Sequence, residues 1–212
     1  MITVKTFVFN SFQVNCYLLY DPTGACIIVD PSCYDQQEAD HLAGFIRKEG
    51  LQPVRNLNTH AHIDHVLGNH HIFRLYGLRP EYHSGSTPFI QTAQEVGASF
   101  GYHLKEMPEP AGYLADGDGI SFGNNQLKVL YTPGHADGSI CLYNDTQGFV
   151  LTGDVIFRDT IGRTDLPTGN FDLLMQSIRA RLFVLPDDTV VYPGHGPETT
   201  IGYEKRNNPF IR

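Results

Sequence analysis

Long apolar runs, paired cysteines and basic patches are all scarce in this sequence, and each shortage closes off a class of function. No segment of the 212 residues approaches the roughly 20 consecutive apolar residues of a membrane-spanning helix. The opening stretch, MITVKTFVFN, lacks the apolar core and small-residue cleavage site of a secretion signal. The four cysteines, Cys16, Cys26, Cys33 and Cys141, include no CxxC pair, which argues against a zinc ribbon. Cys16, Cys26 and Cys141 sit in apolar, strand-like runs, so buried, reduced thiols in a cytoplasmic protein are expected. Lys and Arg number 15 against 23 Asp and Glu, a net charge of −8. That balance speaks against a nucleic-acid-binding surface. It leaves room for cations, since two bound dications would offset about half of the charge.

What is present is a globular composition. Hydrophobic residues make up 41% and charged residues 18%, enough to bury a core, and a single domain over residues 1–212 is expected. VKTFVF, NCYLLY and ACIIVD read as three early strands, with a turn at DPTGA. DQQEADHLAGFIRKEG carries Ala39, Leu42, Ala43, Phe45 and Ile46 at helical spacing, with Asp35 and Glu38 placed for a capping box and Gly50 as a stop. VRNLNT is a short strand, and VLGNHHIFRLYG and TPFIQTAQEVGASFGYHL read as helices. KEMPEPAGYLADGDG is a long polar connection. Downstream, QLKVLYTPG, SICLYN and GFVLTGD are strands, FDLLMQSIRARLFVL is an amphipathic helix, and DDTVVYPGHG is a last strand and loop. Strands in a group, then strands alternating with helices, imply sheets covered by helices rather than a doubly wound parallel fold.

The chemistry concentrates in NLNTHAHIDHVLGNHH, which places five histidines and an aspartate in sixteen residues. Histidine is an ordinary core or surface residue but an excellent metal ligand near neutral pH. Within the cluster the informative unit is His60-x-His62-x-Asp64-His65. In an extended segment, residues two apart point the same way, so His60 and His62 can reach one metal. Asp64 and His65 follow where the chain turns into a helix and face a second point. Three later stretches, VLYTPGHADG, FVLTGDVIF and VVYPGHG, each end an apolar strand in a glycine turn and present His135, Asp154 and His195. Two adjacent sites follow: His60, His62 and His135 on one metal, Asp64, His65 and His195 on the other, with Asp154 bridging. An all nitrogen and oxygen donor set with open positions suits two divalent ions, zinc first, with iron or manganese as alternatives. His70 and His71 read as helix-surface residues outside the site. His41, His83 and His103 have no motif context and read as surface histidines.

THAHIDH, followed in order by TPGH, LTGD and YPGHG, resembles the metallo-β-lactamase fold superfamily. The resemblance runs over nearly the whole chain. It implies a mixed α/β fold, a four-layer αββα sandwich, with a dinuclear site in a cleft at the edge of the sheets. It also implies that Asp30, which ends the IIVD strand, supports the first histidines from behind. IGRTDLPTGN and the tail YPGHGPETTIGYEKRNNPF are similar to the glyoxalase II-related thioesterases, in particular the short type without the added helical domain. Arg163 and Asp165 of GRTD either line a substrate cleft or pair with each other to pin a loop. Tyr203, Lys205 and Arg206 read as a solvated helix face.

No serine or cysteine occupies a nucleophile motif; HSGS lacks the strand–elbow–helix setting of a hydrolase serine. The nucleophile is then expected to be a hydroxide bridging the two metals, with Asp64 orienting it. A thiolate is the leaving group best served, because it binds zinc and departs without a proton. The resemblance therefore implies a hydroxyacylglutathione hydrolase-like thioesterase acting on a small-molecule thioester. The alternatives are an iron-dependent persulfide dioxygenase, a lactonase or β-lactamase of the same superfamily, and a metal-binding scaffold without catalysis. Neither nucleic acid nor a membrane is an expected partner.

Overall fold

Two six-stranded sheets carry the chain. In the first half, strands β1 (Thr3–Phe9), β2 (Val14–Tyr20) and β3 (Ala25–Val29) form an antiparallel meander. Helix α1 (Gln36–Lys48) then crosses to β4 (Gln52–Leu57), parallel to β3. Helices α2 (Ile63–Val66) and α3 (Asn69–Tyr76) lead to β5 (Pro80–Tyr82), and α4 (Thr87–Ser99) leads to β6 (Gly112–Tyr113), which closes this sheet in the order β1 to β6. The second half gives β7 (Gly119–Phe122), β8 (Asn125–Tyr131), β9 (Ile140–Asn144) and β10 (Phe149–Gly153). A small hairpin follows, β11 (Ile156–Phe157) and β12 (Thr160–Ile161), and then helix α5 (Phe171–Ser177). Strands β13 (Val190–Pro193) and β14 (Thr199–Thr200) and helix α6 (Ile201–Asn207) complete it. The second sheet runs β14-β13-β10-β9-β8-β7. The computed structural model describes residues 1–104 and 106–211; Lys105, first residue of the polar connection, and Arg212 lie outside the described residues.

The apolar runs have no alternation because each sheet is covered on both faces. Leu19, Ile27, Val29 and Leu57 point inward and meet Ile120, Leu127, Val129, Leu142 and Leu151 of the other sheet. Their sequence neighbours Leu18 and Ile28 point outward against Leu42 and Ile46 of α1. On the far side Cys141, Val150 and Val191 pack against Leu174 and Ile178 around α5. Helix, sheet, sheet, helix is therefore the layer order, as the family resemblance implies. All four cysteines are buried and unpaired. No helix among the described residues is long and apolar enough to cross a membrane.

Several elements depart from the sequence reading. The Asp35 side chain caps α1 by accepting from Glu38 N (2.8 Å), but Glu38 does not return the bond to Asp35. Its carboxylate accepts instead from Tyr34 N (2.8 Å) and Asn10 N (2.6 Å), tying the β1–β2 loop to the helix. The helix expected over 66–77 is two short ones. Gly68 interrupts it, packed so tightly that a Cβ there would strike Cys33 Sγ and the Pro31 carbonyl. Helix α4 ends at Ser99 rather than Leu104, because Tyr102 N bonds back to the Gly97 carbonyl (2.9 Å) and folds Tyr102 and Leu104 beneath the helix. The helix expected over 171–185 is α-helical only to Ser177 and continues as a π-helical turn over Ile178–Leu182. The polar connection contains β6.

Candidate metal centre

The sheets end in loops at one edge, and the histidine-bearing loops meet there. The β4–α2 turn delivers His60, His62, Asp64 and His65. The β8–β9 loop delivers His135, the end of β10 Asp154, and the loop after β13 His195. Among the described residues three sets of donor atoms lie within 4.8 Å of one another: His60 with His62 and His135, His60 with His65 and Asp154, and Asp64 with His65 and His195. The Asp154 carboxylate reaches into both ends, with Oδ1 3.3 Å from His65 Nε2, and Oδ2 3.5 Å from His195 Nε2 and 3.7 Å from His135 Nε2. Asp64 Oδ2 lies 3.3 Å from His195 Nε2 and 3.6 Å from His65 Nε2. These are charge-contact distances rather than short hydrogen bonds.

Each anchored imidazole uses its Nδ1 edge and leaves Nε2 for the centre. His135 Nδ1 donates to the Arg163 carbonyl (2.8 Å) and His195 Nδ1 to the Phe12 carbonyl (3.0 Å). A carbonyl only accepts, so Nδ1 carries a proton in each, and Nε2 is the nitrogen turned towards the centre. His65 Nδ1 lies 3.0 Å from Asp30 Oδ2. Asp30 also accepts from Thr59 N and Thr59 Oγ1, both at 2.7 Å. Thr59 Oγ1, its own proton spent on Asp30, accepts from His60 Nδ1 at 3.2 Å. Asp30 therefore orients His65 directly and His60 through Thr59. It holds a left-handed backbone, φ +51°, which aspartate tolerates better than most residues.

A cation fits these residues. The Nε2 atoms of His60, His62, His65 and His135 and Oδ1 of Asp154 are buried with no hydrogen-bond partner. A buried polar atom left unsatisfied costs about 1–3 kcal/mol, so five of them aimed at one place call for a shared partner, and these donors are ordinary ligands of a divalent ion. The electrostatics split the centre in two. Burial, with the neighbouring imidazoles, holds His60 well below its usual pKa, His62 at about 4 and His135 low. These three stay neutral, as ligation requires. Burial opposes charge on His65 as well, but Asp154, Asp64 and Asp30 outweigh it and push its pKa well up. For His195 burial is outweighed by the carboxylates of Asp154 and Asp64, which raise it to about 9. Asp64 and Asp154 are held low because facing imidazoles overcome the effect of burial.

All seven residues expected at the metals are thus brought together, with Asp30 behind them. Arg163 and Asp165 divide. They form a two-pronged ion pair (2.7 Å for each bond), largely exposed. Arg163 also lines the cavity beside the centre, and its carbonyl seats His135. Tyr203, Lys205 and Arg206 stay away from the site: Tyr203 bonds Asp159, and both cations meet Asp187. His70 and His71 lie outside the donor sets, with ring centroids 3.8 Å apart and planes tilted by 40°. His83, expected on the surface, is half-buried and stacks on Tyr131 (4.4 Å).

Other contributors carry no local signal. Asn15 of β2 donates through Nδ2 to the carbonyls of Pro193 (2.9 Å) and Gly196 (2.8 Å), and its N–H bonds the Gly194 carbonyl (2.8 Å). Tyr17 OH donates to the Pro193 carbonyl (2.6 Å). These bonds clamp the His195 loop. Gly194 is needed there because a Cβ would collide with the Asp154 carboxylate and the His65 ring. Beside the centre opens a cavity of about 330 Å³ walled by Phe12, Ile63, Leu166 and the α4 face carrying Phe89 and Val96. The cavity lining contains no serine, cysteine or lysine among the described residues.

Known proteins agree with this geometry. A sequence model of the metallo-beta-lactamase superfamily matches residues 10–195. Hydroxyacylglutathione hydrolase GloC of Haemophilus influenzae is 33% identical over 209 residues, covering 95% of this chain and 94% of its own. The solved structure of TTHA1623 in a di-iron-bound form superposes with a TM-score of 0.87 at 33% identity, covering 97% of this chain and 99% of that one. That of BLEG-1 B3 metallo-beta-lactamase gives 0.87 at 30% identity, covering 99% of each chain. A match over most of the chain, two helix-covered sheets and a converged histidine–aspartate centre lead to one conclusion: this chain belongs to the metallo-beta-lactamase superfamily of metal-dependent hydrolases.

Proposed function

We propose that the chain is a thioester hydrolase of the hydroxyacylglutathione type that holds two divalent cations. His60, His62 and His135 would hold one, Asp64, His65 and His195 the other, and Asp154 would touch both. Bound there, the cations would supply an acidified water near neutral pH and polarisation of the substrate carbonyl. The donors suit zinc and equally iron, the metal named for the TTHA1623 structure.

The chain's own residues support the rest. Asp64, at the start of α2, sits at the cavity floor with its side chain 15% exposed, placed to orient a water and take its proton. Phe12, Ile63 and Phe89 keep bulk water from that floor. The observation that carries the choice of leaving group is the poverty of proton donors. Apart from the metal-centre residues, the described lining offers O–H or N–H side chains only from Thr92 and Arg163. Neither is an acid at neutral pH. An amine leaving group needs a proton, whereas a thiolate leaves without one. The likeness to GloC points the same way.

The test is hydrolysis of S-lactoylglutathione by zinc- or iron-loaded protein, with metal content and oxygen uptake measured alongside. The proposal expects thiol release without oxygen consumption, and loss of it in Asp154→Asn. Oxygen uptake with one iron per chain would indicate a persulfide dioxygenase instead, and turnover of a β-lactam panel alone would indicate a β-lactamase.

A further inference from the structure

The wall of the cavity is a poor match to glutathione, which carries two carboxylates and an ammonium group. From the metal centre outward the lining runs through Phe12, Ile63, Phe89, Val96, Phe100 and Leu166, all apolar. Apart from the metal-centre residues, the only cation on it among the described residues is Arg163, already engaged by both oxygens of Asp165. The apolar surface does not stop inside. Val96 is 39% exposed and Phe100 58% exposed, so the strip continues to the mouth, where two apolar side chains face solvent beside a catalytic cleft. Phe12 stacks edge-on against Phe100 (5.7 Å) and ties this mouth to the loop whose carbonyl seats His195. A volume of about 330 Å³ lies at the small end of ligand pockets, which typically span about 300–1,000 Å³. It accommodates a medium-length alkyl or aryl group.

We infer that the preferred substrate is a thioester bearing an apolar group, alkyl or aryl, that lies along the α4 face. The inference rests on the thioesterase reading and narrows it. Burial of each methylene favours binding about fourfold, so a group several carbons long has ample driving force to outrank a lactoyl group on a charged thiol. The apolar group can belong to either half of the thioester, and the test separates the two.

Metal-loaded protein is given acetyl, hexanoyl and phenylacetyl thioesters of N-acetylcysteamine, together with the acetyl thioester of benzyl mercaptan. In parallel, calorimetry compares binding of hexanethiol and of glutathione to the same protein. The inference expects kcat/KM at least tenfold above acetyl-N-acetylcysteamine for one apolar arm, the hexanoyl and phenylacetyl pair or the benzyl thiol. It also expects hexanethiol to bind at least tenfold more tightly than glutathione. Val96→Asp and Phe100→Ser, both at partly exposed positions, should each pull these ratios toward one. Turnover of every thioester at equal kcat/KM, with equal thiol binding, would overturn the inference and leave thioester hydrolysis standing. Tight hexanethiol binding that Val96→Asp weakens, with no thioester turned over, would overturn the proposed function and leave the apolar site. Tighter binding of glutathione than of hexanethiol would also overturn the inference.

Discussion

The two halves of the centre hold their donors by opposite means. His60, His62 and His135 form a neutral set whose burial keeps protons away. Asp64, His65 and His195 form a charged set in which carboxylates pull protons onto imidazoles. The first half is ready for a cation, and acid is its only competitor. The second half, without a cation, satisfies its carboxylates with protons that a cation would displace. Asp154 lies between them and faces both. The difference teaches that ion count and pH response belong to the pair of halves, and that each can be disturbed separately.

Ligand removal should show the largest contrast. His60 belongs to two of the three donor sets and is fully buried, whereas His195 belongs to one. His60→Ala should cost metal affinity well beyond the tenfold to hundredfold typical of losing an outer partner, and abolish turnover. His195→Ala should take the elemental ratio from two ions per chain towards one. Equal stoichiometry in both variants would show that the halves are not distinct.

A smaller effect should follow from removing the residues that hold the ligands. Asn15→Ala frees two loop carbonyls beside His195, a loss of about 1–3 kcal/mol in stability, and should weaken only the second ion. Asp30→Ala removes support from His65 and, through Thr59, from His60, and should weaken both by about tenfold to a hundredfold. Titrating zinc against each variant, with calorimetry as the readout, distinguishes one weakened step from two.

The smallest effect is on pH dependence. The folded-state pKa of His62, about 4, lies below the 6.5 of a free histidine. As pH falls from 6.5 towards 4 the unfolded chain takes up a proton that the folded chain refuses, so metal-free stability declines. The folded-state pKa of His195, about 9, lies above 6.5. Its contribution is complete below 6.5 and is lost as pH rises through 9. Metal-free protein should therefore melt highest near neutrality. Saturating zinc should remove the alkaline decline, because the folded state then holds no extra proton, and keep the acid one. About 1 kcal/mol corresponds to roughly 2–4 °C for a chain of this size, within reach of scanning calorimetry across pH.

How much of this the sequence displayed depended on distance along the chain. The ligands were legible because each lies in a local pattern, the histidine cluster after VRNLNT and then three strands running into glycine turns, and the four patterns follow in order. Sheets covered by helices were legible from the order of strand-like and helical runs, and the four-layer arrangement from the family resemblance. The supports were not. Asn15 meets Pro193 and Gly196 across more than 170 residues, and no feature near Asn15 marks it. Phe12 and α4 look like loop and helix until tertiary packing turns them into a cavity wall. The break at Gly68 was hidden for the same reason, since the atoms that demand it belong to Pro31 and Cys33. Glu38 was half legible: the cap from Asp35 is local, but its own carboxylate is drawn away to Asn10 and Tyr34.

The most direct test of paired cation binding is a crystal structure of zinc-loaded protein with diffraction data on both sides of the zinc absorption edge. The account predicts two anomalous peaks, one among His60, His62 and His135 and one among Asp64, His65 and His195, with Asp154 in contact with both. One peak only, or peaks away from these residues, would contradict it.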